Sequence, residues 1–185
     1  MKGSKKRIAL NAEEIHEALD RIAAKMILDY PETERLVLIG IRTGGAFLAN
    51  RFQELIKTQK GLTVPTGALD ITLYRDDWTR INHKPIVGKT EVPVCLDNKI
   101  IILVDDVLYT GRTVRAALDA LIDFGRPRRI ALAVLVDRGG RELPISADYS
   151  VIRLDTKPEE RVNVYFKEQG VGDQVVIESG TEGKN

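Results

Sequence analysis

One stretch near the middle of the chain constrains the fold more than any other. It begins with the unbroken aliphatic run Ile100 to Val104, which is typical of a central strand in a parallel sheet, buried on both faces. Two acids, Asp105 and Asp106, follow at what would be the carboxyl end of that strand. A short loop comes next, and from Val114 apolar residues recur at helical spacing. The stretch therefore predicts a strand–loop–helix unit, with polar groups where open α/β sheets bind ligands.

The loop that follows these acids has the features of a phosphate-binding site. It consists of Thr110, Gly111, Arg112 and Thr113. Glycine lets the backbone approach a ligand closely, and the first N–H groups of a helix lack intrahelical partners and attract anions. The lysine of the Walker motif and the glycine repeat of the dinucleotide motif are both absent. Two carboxylates beside a phosphate loop instead suit ribose 5-phosphate, whose vicinal hydroxyls they would bind. A simpler interpretation stays open, in which the acids end a strand and Thr110 caps a helix.

A second strand leads through a glycine turn into a helix. The apolar run Leu36 to Gly40 precedes a turn that contains a basic residue, and a helical segment spans residues 46–57. The turn consists of Arg42, Thr43, Gly44 and Gly45. On its own this pattern fits a plain strand-to-helix turn as well as an anion site.

The remaining pattern predicts further elements of one α/β domain over residues 1–179, with a disordered tail at 180–185. Asn11 and Glu14 have the spacing of a capping box at the start of an amphipathic helix. Residues 69–74 alternate as a half-exposed strand would. A buried-type strand over residues 130–136 ends in Asp137 and Arg138, and short strands are predicted at 149–154, 161–166 and 174–178.

Composition limits the classes of function. The chain has 185 residues, 28 basic against 27 acidic, so nucleic-acid binding would need a local basic patch. The single cysteine, Cys95, excludes an internal disulfide and a cysteine-based metal site. The sequence has no long apolar segment, which predicts a cytoplasmic protein without membrane association.

The motifs resemble those of a known family. A strand, two acids and a Thr-Gly-x-Thr loop resemble the PRPP-binding motif of the type I phosphoribosyltransferases (PRPP is 5-phosphoribosyl-1-pyrophosphate). Three stretches in order, residues 70–77, 104–113 and 136–144, are similar to the PyrR family. The resemblance runs from about Ile8 to Tyr149. It implies a three-layer α/β fold with a mainly parallel central sheet. A small hood, made from the N-terminal region and residues after Gly139, would cover the base.

The resemblance also implies an activity and its residues. The reaction would be Mg²⁺-dependent transfer from PRPP to uracil, giving UMP and pyrophosphate, with UMP-controlled binding of pyr mRNA by a homodimer or higher homo-oligomer. Asp105 and Asp106 would be catalytic and hold the ribose hydroxyls, directly or through Mg²⁺. Residues 110–113 would bind the 5′-phosphate, while a catalytic Arg42, Thr43 and Gly44 would bind the pyrophosphate. The segment that starts with Arg75, Asp76 and Asp77 would form a lid or a dimerisation arm.

One position predicts the base. Hypoxanthine-guanine phosphoribosyltransferases carry an aspartate just before the Thr-Gly of the loop, and here that position is Tyr109. A phenol is a poor proton acceptor at neutral pH, which favours a pyrimidine over a purine. Asp137 and Arg138 are the predicted base-binding residues, and Arg138 and Arg141 are candidates for binding RNA.

Several alternatives stay open. Arg138 could be a structural partner of Asp137, and the protein could be a weakly catalytic or non-catalytic RNA-binding regulator that senses a nucleotide. It could also salvage another base. The chain departs from the family at Gly140, where many members have histidine. It departs again after Tyr149, where residues 150–154 replace a Gly-Lys-Asn-Ile-Pro-Thr-Ser segment near the base site.

Overall fold

A computed structural model describes residues 5–74 and 89–179. Its helices and strands, in chain order, are β1 (Lys6–Leu10), α1 (Ala12–Asp29), β2 (Leu36–Ile41), α2 (Gly44–Lys60), β3 (Thr66–Leu69), β4 (Ile100–Leu108), α3 (Arg112–Ile122), β5 (Arg129–Asp137), β6 (Tyr149–Arg153), β7 (Glu160–Tyr165) and β8 (Gln174–Ser179). Short 3-10 helices lie at Thr33–Arg35, Thr72–Tyr74 and Lys167–Gln169.

The central sheet has five parallel strands in the order β3-β2-β4-β5-β6. Strand β4 lies in its middle, and Ile100 to Val104 are all buried. Alternate residues of β4 face opposite sides: Ile102 belongs to one apolar core and Ile101 to the other. The first core lies between one face of the central sheet and helices α1 and α2. The second lies between the other face and α3. The predicted three-layer arrangement with a central parallel β4 is therefore confirmed.

A smaller antiparallel sheet, here called the hood sheet, has the strand order β1-β8-β7. It joins the N-terminal strand to the two last strands described, as predicted for the hood. One of its contacts with α2 is charged and is here called the Arg51 clamp. The Arg51 guanidinium makes two bonds to Glu168, at 2.8 and 2.6 Å, and two to Asp173, at 3.0 and 2.7 Å. The ring of Phe166 lies beneath it, 5.3 Å from the guanidinium carbon.

The capping box of α1 forms as predicted, but the strand predicted at residues 69–74 is wrong. Strand β3 ends at Leu69, and a 3-10 turn occupies Thr72–Tyr74. The physical reason is that a side-chain oxygen of Asp70 accepts the N–H of Thr72 at 2.7 Å. This local bond turns the backbone away from the sheet.

Two other expectations lie outside the described residues: the lid segment from Arg75, Asp76 and Asp77, and the tail at 180–185. The single-domain assignment stays a prediction. Among the described helices, none is both long enough and apolar enough to span a membrane.

Candidate active site

The turn before α2 and the end of β4 meet at a close backbone approach. A Cβ added to Gly44 would lie 2.4 Å from Oδ2 of Asp106, and one added to Gly45 would lie 2.2 Å from the carbonyl oxygen of Val104. Only glycine fits these two positions without a shift. The structure thus brings the predicted pyrophosphate turn (Arg42, Thr43 and Gly44) against the acidic pair, as required if both bind one ligand.

The two acids are oriented by their own backbone. Oδ1 of Asp105 accepts the N–H of Asp106 at 2.9 Å, and Oδ1 of Asp106 accepts the N–H of Val107 at 2.8 Å. Asp105 is buried, whereas Asp106 is partly exposed. Because the backbone fixes one oxygen of each carboxylate, both groups are held in place before any ligand arrives.

The loop 110–113 leads into α3, which begins at Arg112. Gly111 has a φ of 93°, a left-handed backbone conformation that residues other than glycine rarely adopt. The carbonyl oxygen of Thr110 accepts the N–H groups of Glu142 and Leu143, at 3.0 and 3.2 Å. Nε of Arg112 also lies 2.6 Å from a carboxylate oxygen of Glu142. The segment that follows β5 therefore supports the loop directly.

Asp137 and Arg138 lie beside the end of β4, since Asp137 is in register with Leu108. The partner of Asp137 is Arg141, at 2.6 Å, and not Arg138. Burial by itself raises the pKa of Asp137, but the N–H of Gly139 and the Arg141 guanidinium outweigh it and hold that pKa below its usual range.

Arg138 instead links Tyr109 to the start of the hood sheet. Its guanidinium carbon lies 3.9 Å from the centre of the Tyr109 ring. Its Nε donates to Oγ1 of Thr156 at 2.9 Å, and Nη2 donates to the carbonyl oxygen of Glu160 at 2.6 Å. A Cβ on Gly140 would lie 2.4 Å from the edge of the same ring. Tyr109 therefore contacts Arg138 with its face and Gly140 with its edge, and 38% of it stays exposed.

Arg42 forms a hydrogen bond with Lys89, at the start of the second described range. Its Nε donates to the carbonyl oxygen of Lys89 at 2.8 Å. Two residues further on, Glu91 forms an antiparallel bridge with Ala68 of β3. The predicted pyrophosphate turn is thus braced from the edge of the central sheet.

The acids suit a metal ion that a substrate also binds. Among residues 5–74 and 89–179, no group of three or more His, Cys, Asp or Glu side chains is placed to hold a metal. Mg²⁺ is commonly held by one or two carboxylates together with substrate oxygens. Asp105 and Asp106 are carboxylates of that kind, and a bound substrate would supply the remaining ligands.

Sequence reasoning missed two residues that shape this site. Glu142 pairs with Arg112, and Gly140 leaves room for the Tyr109 ring. The acidic residue and the Gly-Gly turn after β5 were visible, but nothing local in the sequence indicated which residues they would contact.

Comparison with known proteins defines the class. The model of the phosphoribosyl transferase domain matches residues 10–169, and the chain belongs to that family. Within it, a protein of Syntrophobacter fumaroxidans named bifunctional protein PyrR is 49% identical over 178 residues, 96% of each chain. A Thermus aquaticus protein of the same name is 54% identical over 168 residues, 91% of this chain and 93% of the relative. The chain is a member of the PyrR family.

A solved structure supports the fold. The hypoxanthine phosphoribosyltransferase of Trypanosoma cruzi superposes with a TM-score of 0.71, covering 95% of this chain and 97% of that one. The two sequences are 19% identical, so this likeness concerns the fold alone. The predicted type I phosphoribosyltransferase fold is confirmed.

Proposed function

We propose that this protein transfers the phosphoribosyl group of PRPP to uracil, releasing pyrophosphate and forming UMP. It also regulates pyrimidine biosynthesis genes by binding pyr mRNA under UMP control. The observation that carries the enzymatic part is the approach of Gly44 to Asp106. It places a fixed carboxylate pair between two glycine turns, each of which opens a helix. Family membership supports the same activity.

Each part of PRPP has a matching group. The 5′-phosphate binds at residues 110–113, where the first N–H groups of α3 lack helical partners. Asp105 and Asp106 accept hydrogen bonds from the ribose hydroxyls. The pyrophosphate binds at Arg42, Thr43 and Gly44, at the start of α2. The two acids would hold in part a Mg²⁺ ion bound with PRPP, and that ion would offset the charge of the pyrophosphate.

The protein accelerates the reaction by positioning and charge. As the bond between C1′ and pyrophosphate breaks, the ribose becomes cation-like, and the carboxylates of Asp105 and Asp106 stabilise that positive charge. Arg42 stabilises the negative charge that grows on the leaving group. The backbone bonds that orient both acids mean that little reorganisation is needed at the moment of reaction.

Base choice gives the first prediction: uracil is used about tenfold to a hundredfold better than cytosine, and hypoxanthine or guanine hardly at all. Two donors of Arg138 are engaged by Thr156 and Glu160, and in the described chain its Nη1 has no hydrogen-bond partner. That donor suits a carbonyl oxygen of uracil. Cytosine presents an amino donor instead of one carbonyl, and such a mismatch costs about 1–3 kcal/mol.

The four bases can be compared by competing them for PRPP and measuring each nucleotide formed. Tyr109 offers a purine no carboxylate, and this is the reason for expecting little purine turnover. Purine turnover equal to that of uracil would refute the role given to Tyr109. Cytosine used as well as uracil would refute the role given to Arg138.

The regulatory function has its own test. RNA binding through Lys and Arg side chains releases counterions, so affinity for pyr leader RNA should fall steeply with salt concentration. Under the proposed regulation UMP should strengthen that binding, and RNA should then raise the affinity for UMP by the same factor. The measurement is filter binding or fluorescence anisotropy with leader RNA and a shuffled control over a salt series. Equal affinity for both RNAs, with and without UMP, would leave the protein an enzyme only.

Phosphoribosyl transfer, RNA binding and UMP dependence should be measured on the same preparation. Uracil turnover without specific RNA binding, and the reverse, then separate the enzyme from the regulator. The homodimer or higher oligomer remains part of this proposal and is read from light scattering.

A further inference from the structure

We infer that Arg141 is a positioning residue that fixes the phosphate-binding loop from behind, through the carbonyl groups that precede it. The inference rests on the proposed function, since it assigns the residue an effect on the binding of PRPP. The RNA contact considered for Arg141 from the sequence is the competing role.

The guanidinium of Arg141 is used almost entirely inside the protein. Nε donates to the carbonyl oxygen of Ile145 at 2.8 Å, and Nη2 donates to Oδ1 of Asp137 at 2.6 Å. Nη1 lies 2.7 Å from the carbonyl oxygen of Tyr109 and 3.1 Å from that of Gly139. The Arg141 side chain is 22% exposed. A guanidinium engaged at all three nitrogens has little left to offer an external phosphate.

Two acceptors of Arg141 lie next to the loop 110–113: the carbonyl group of Tyr109, just before the loop, and that of Ile145, in the segment that supports it. Tyr109 immediately precedes Thr110, so its carbonyl group sets the direction in which the chain enters the loop. Ile145 closes the segment 141–145, whose backbone N–H groups at Glu142 and Leu143 hold the carbonyl oxygen of Thr110. Arg141 therefore holds both the residue that precedes the loop and the segment that supports the loop.

These contacts of Arg141 should raise the affinity for the phosphate of the substrate. A loop held in its binding conformation loses less conformational entropy when the ligand arrives, so its affinity is higher. Asp137 takes part as the charged partner of Arg141, which keeps the guanidinium in the plane that reaches the carbonyl groups.

The test compares Arg141→Lys, Arg141→Ala and the control Arg35→Lys. Lysine keeps the charge but cannot form the planar fork. Arg35 pairs with Glu32 and lies before β2, at the opposite end of the sheet. We expect Arg141→Lys to raise KM for PRPP at least ~10-fold while KM for uracil changes less than ~2-fold. Millimolar guanidinium chloride, against sodium chloride, should restore part of the PRPP affinity of Arg141→Ala. The control should match the wild type.

Three outcomes would overturn the inference. An unchanged KM for PRPP in folded Arg141→Lys would show that Arg141 does not position the loop. Equal increases in both KM values, without guanidinium rescue, would indicate a merely structural residue. Loss of leader-RNA binding with normal PRPP kinetics would indicate an RNA contact instead.

Calorimetric titration with ribose 5-phosphate separates this inference from the proposed function. Wild-type protein that binds ribose 5-phosphate but does not convert uracil would refute the proposed enzyme. The positioning role of Arg141 would still be supported if Arg141→Lys weakened the binding of ribose 5-phosphate about 10-fold. It would be refuted if the affinity for ribose 5-phosphate stayed the same.

Discussion

Asp106→Asn is expected to lower kcat/KM for uracil and PRPP at least ~10²-fold, about 2.7 kcal/mol of transition-state stabilisation. The variant should fold normally, because the amide oxygen of asparagine can still accept the N–H of Val107 as the carboxylate does. What it loses is the negative charge that, under the proposed function, would face the ribose. The measurement is steady-state kinetics, with thermal unfolding to verify the fold.

Asp119→Asn is a matched control for this change. Asp119 lies on α3 and pairs with Arg115 at 2.9 Å on a half-exposed surface. The same chemical change there should leave kcat/KM within about twofold. Near-normal turnover by Asp106→Asn would count decisively against the assigned role of the acidic pair.

Arg51→Ala should lower the free energy of unfolding by about 2–3 kcal/mol. Arg51 is 15% exposed and holds the carboxylates of Glu168 and Asp173 together, so its removal leaves two like charges facing each other. The estimate lies below the usual cost of breaking a buried pair because Glu168 retains 29% exposure. Denaturant unfolding at pH 7 measures the difference.

The loss should depend on pH. The hydrogen bond from Arg51 holds the pKa of Glu168 below its usual range. Burial by itself raises the pKa of Asp173, but Arg51 and the N–H of Lys167 outweigh it and lower that pKa. Groups with depressed folded pKa values stabilise the fold above their unfolded values, about 4, and lose this contribution as the pH falls through the folded values. The gap between wild type and Arg51→Ala should therefore be full at pH 7 and shrink below pH 4.

A surface arginine provides the comparison. Arg21 is 71% exposed and lies 3.9 Å from Glu17. Arg21→Ala should change the free energy of unfolding by less than about 0.5 kcal/mol. Equal losses for Arg51→Ala and Arg21→Ala would show that the Arg51 clamp contributes little to holding the hood sheet. A loss for Arg51→Ala that does not vary with pH would show that the loss does not come from the ion pairs with Glu168 and Asp173.

The sequence by itself determined the parts of the protein that rest on local, contiguous signals. The unbroken aliphatic run Ile100 to Val104 identifies β4, because such a run is typical of a strand that is buried on both faces of a sheet. The glycine and the helical spacing that follow predict the loop 110–113 and α3, and the spacing of Asn11 and Glu14 predicts the start of α1. The same kind of signal failed at residues 69–74, where one side-chain bond from Asp70 turned an alternating pattern into a 3-10 turn.

Only the tertiary structure decided which side chains meet. Arg51 bonds to residues 117 and 122 positions away, and Arg141 to the carbonyl group of a residue 32 positions away. The sequence placed Arg138 beside Asp137, but the turn after β5 brings Arg141 to that carboxylate and sends Arg138 to Tyr109. Local patterns report the free energy of burying a face of a strand or helix. The partner of a polar side chain is set by where distant segments cross, which no spacing along the chain encodes.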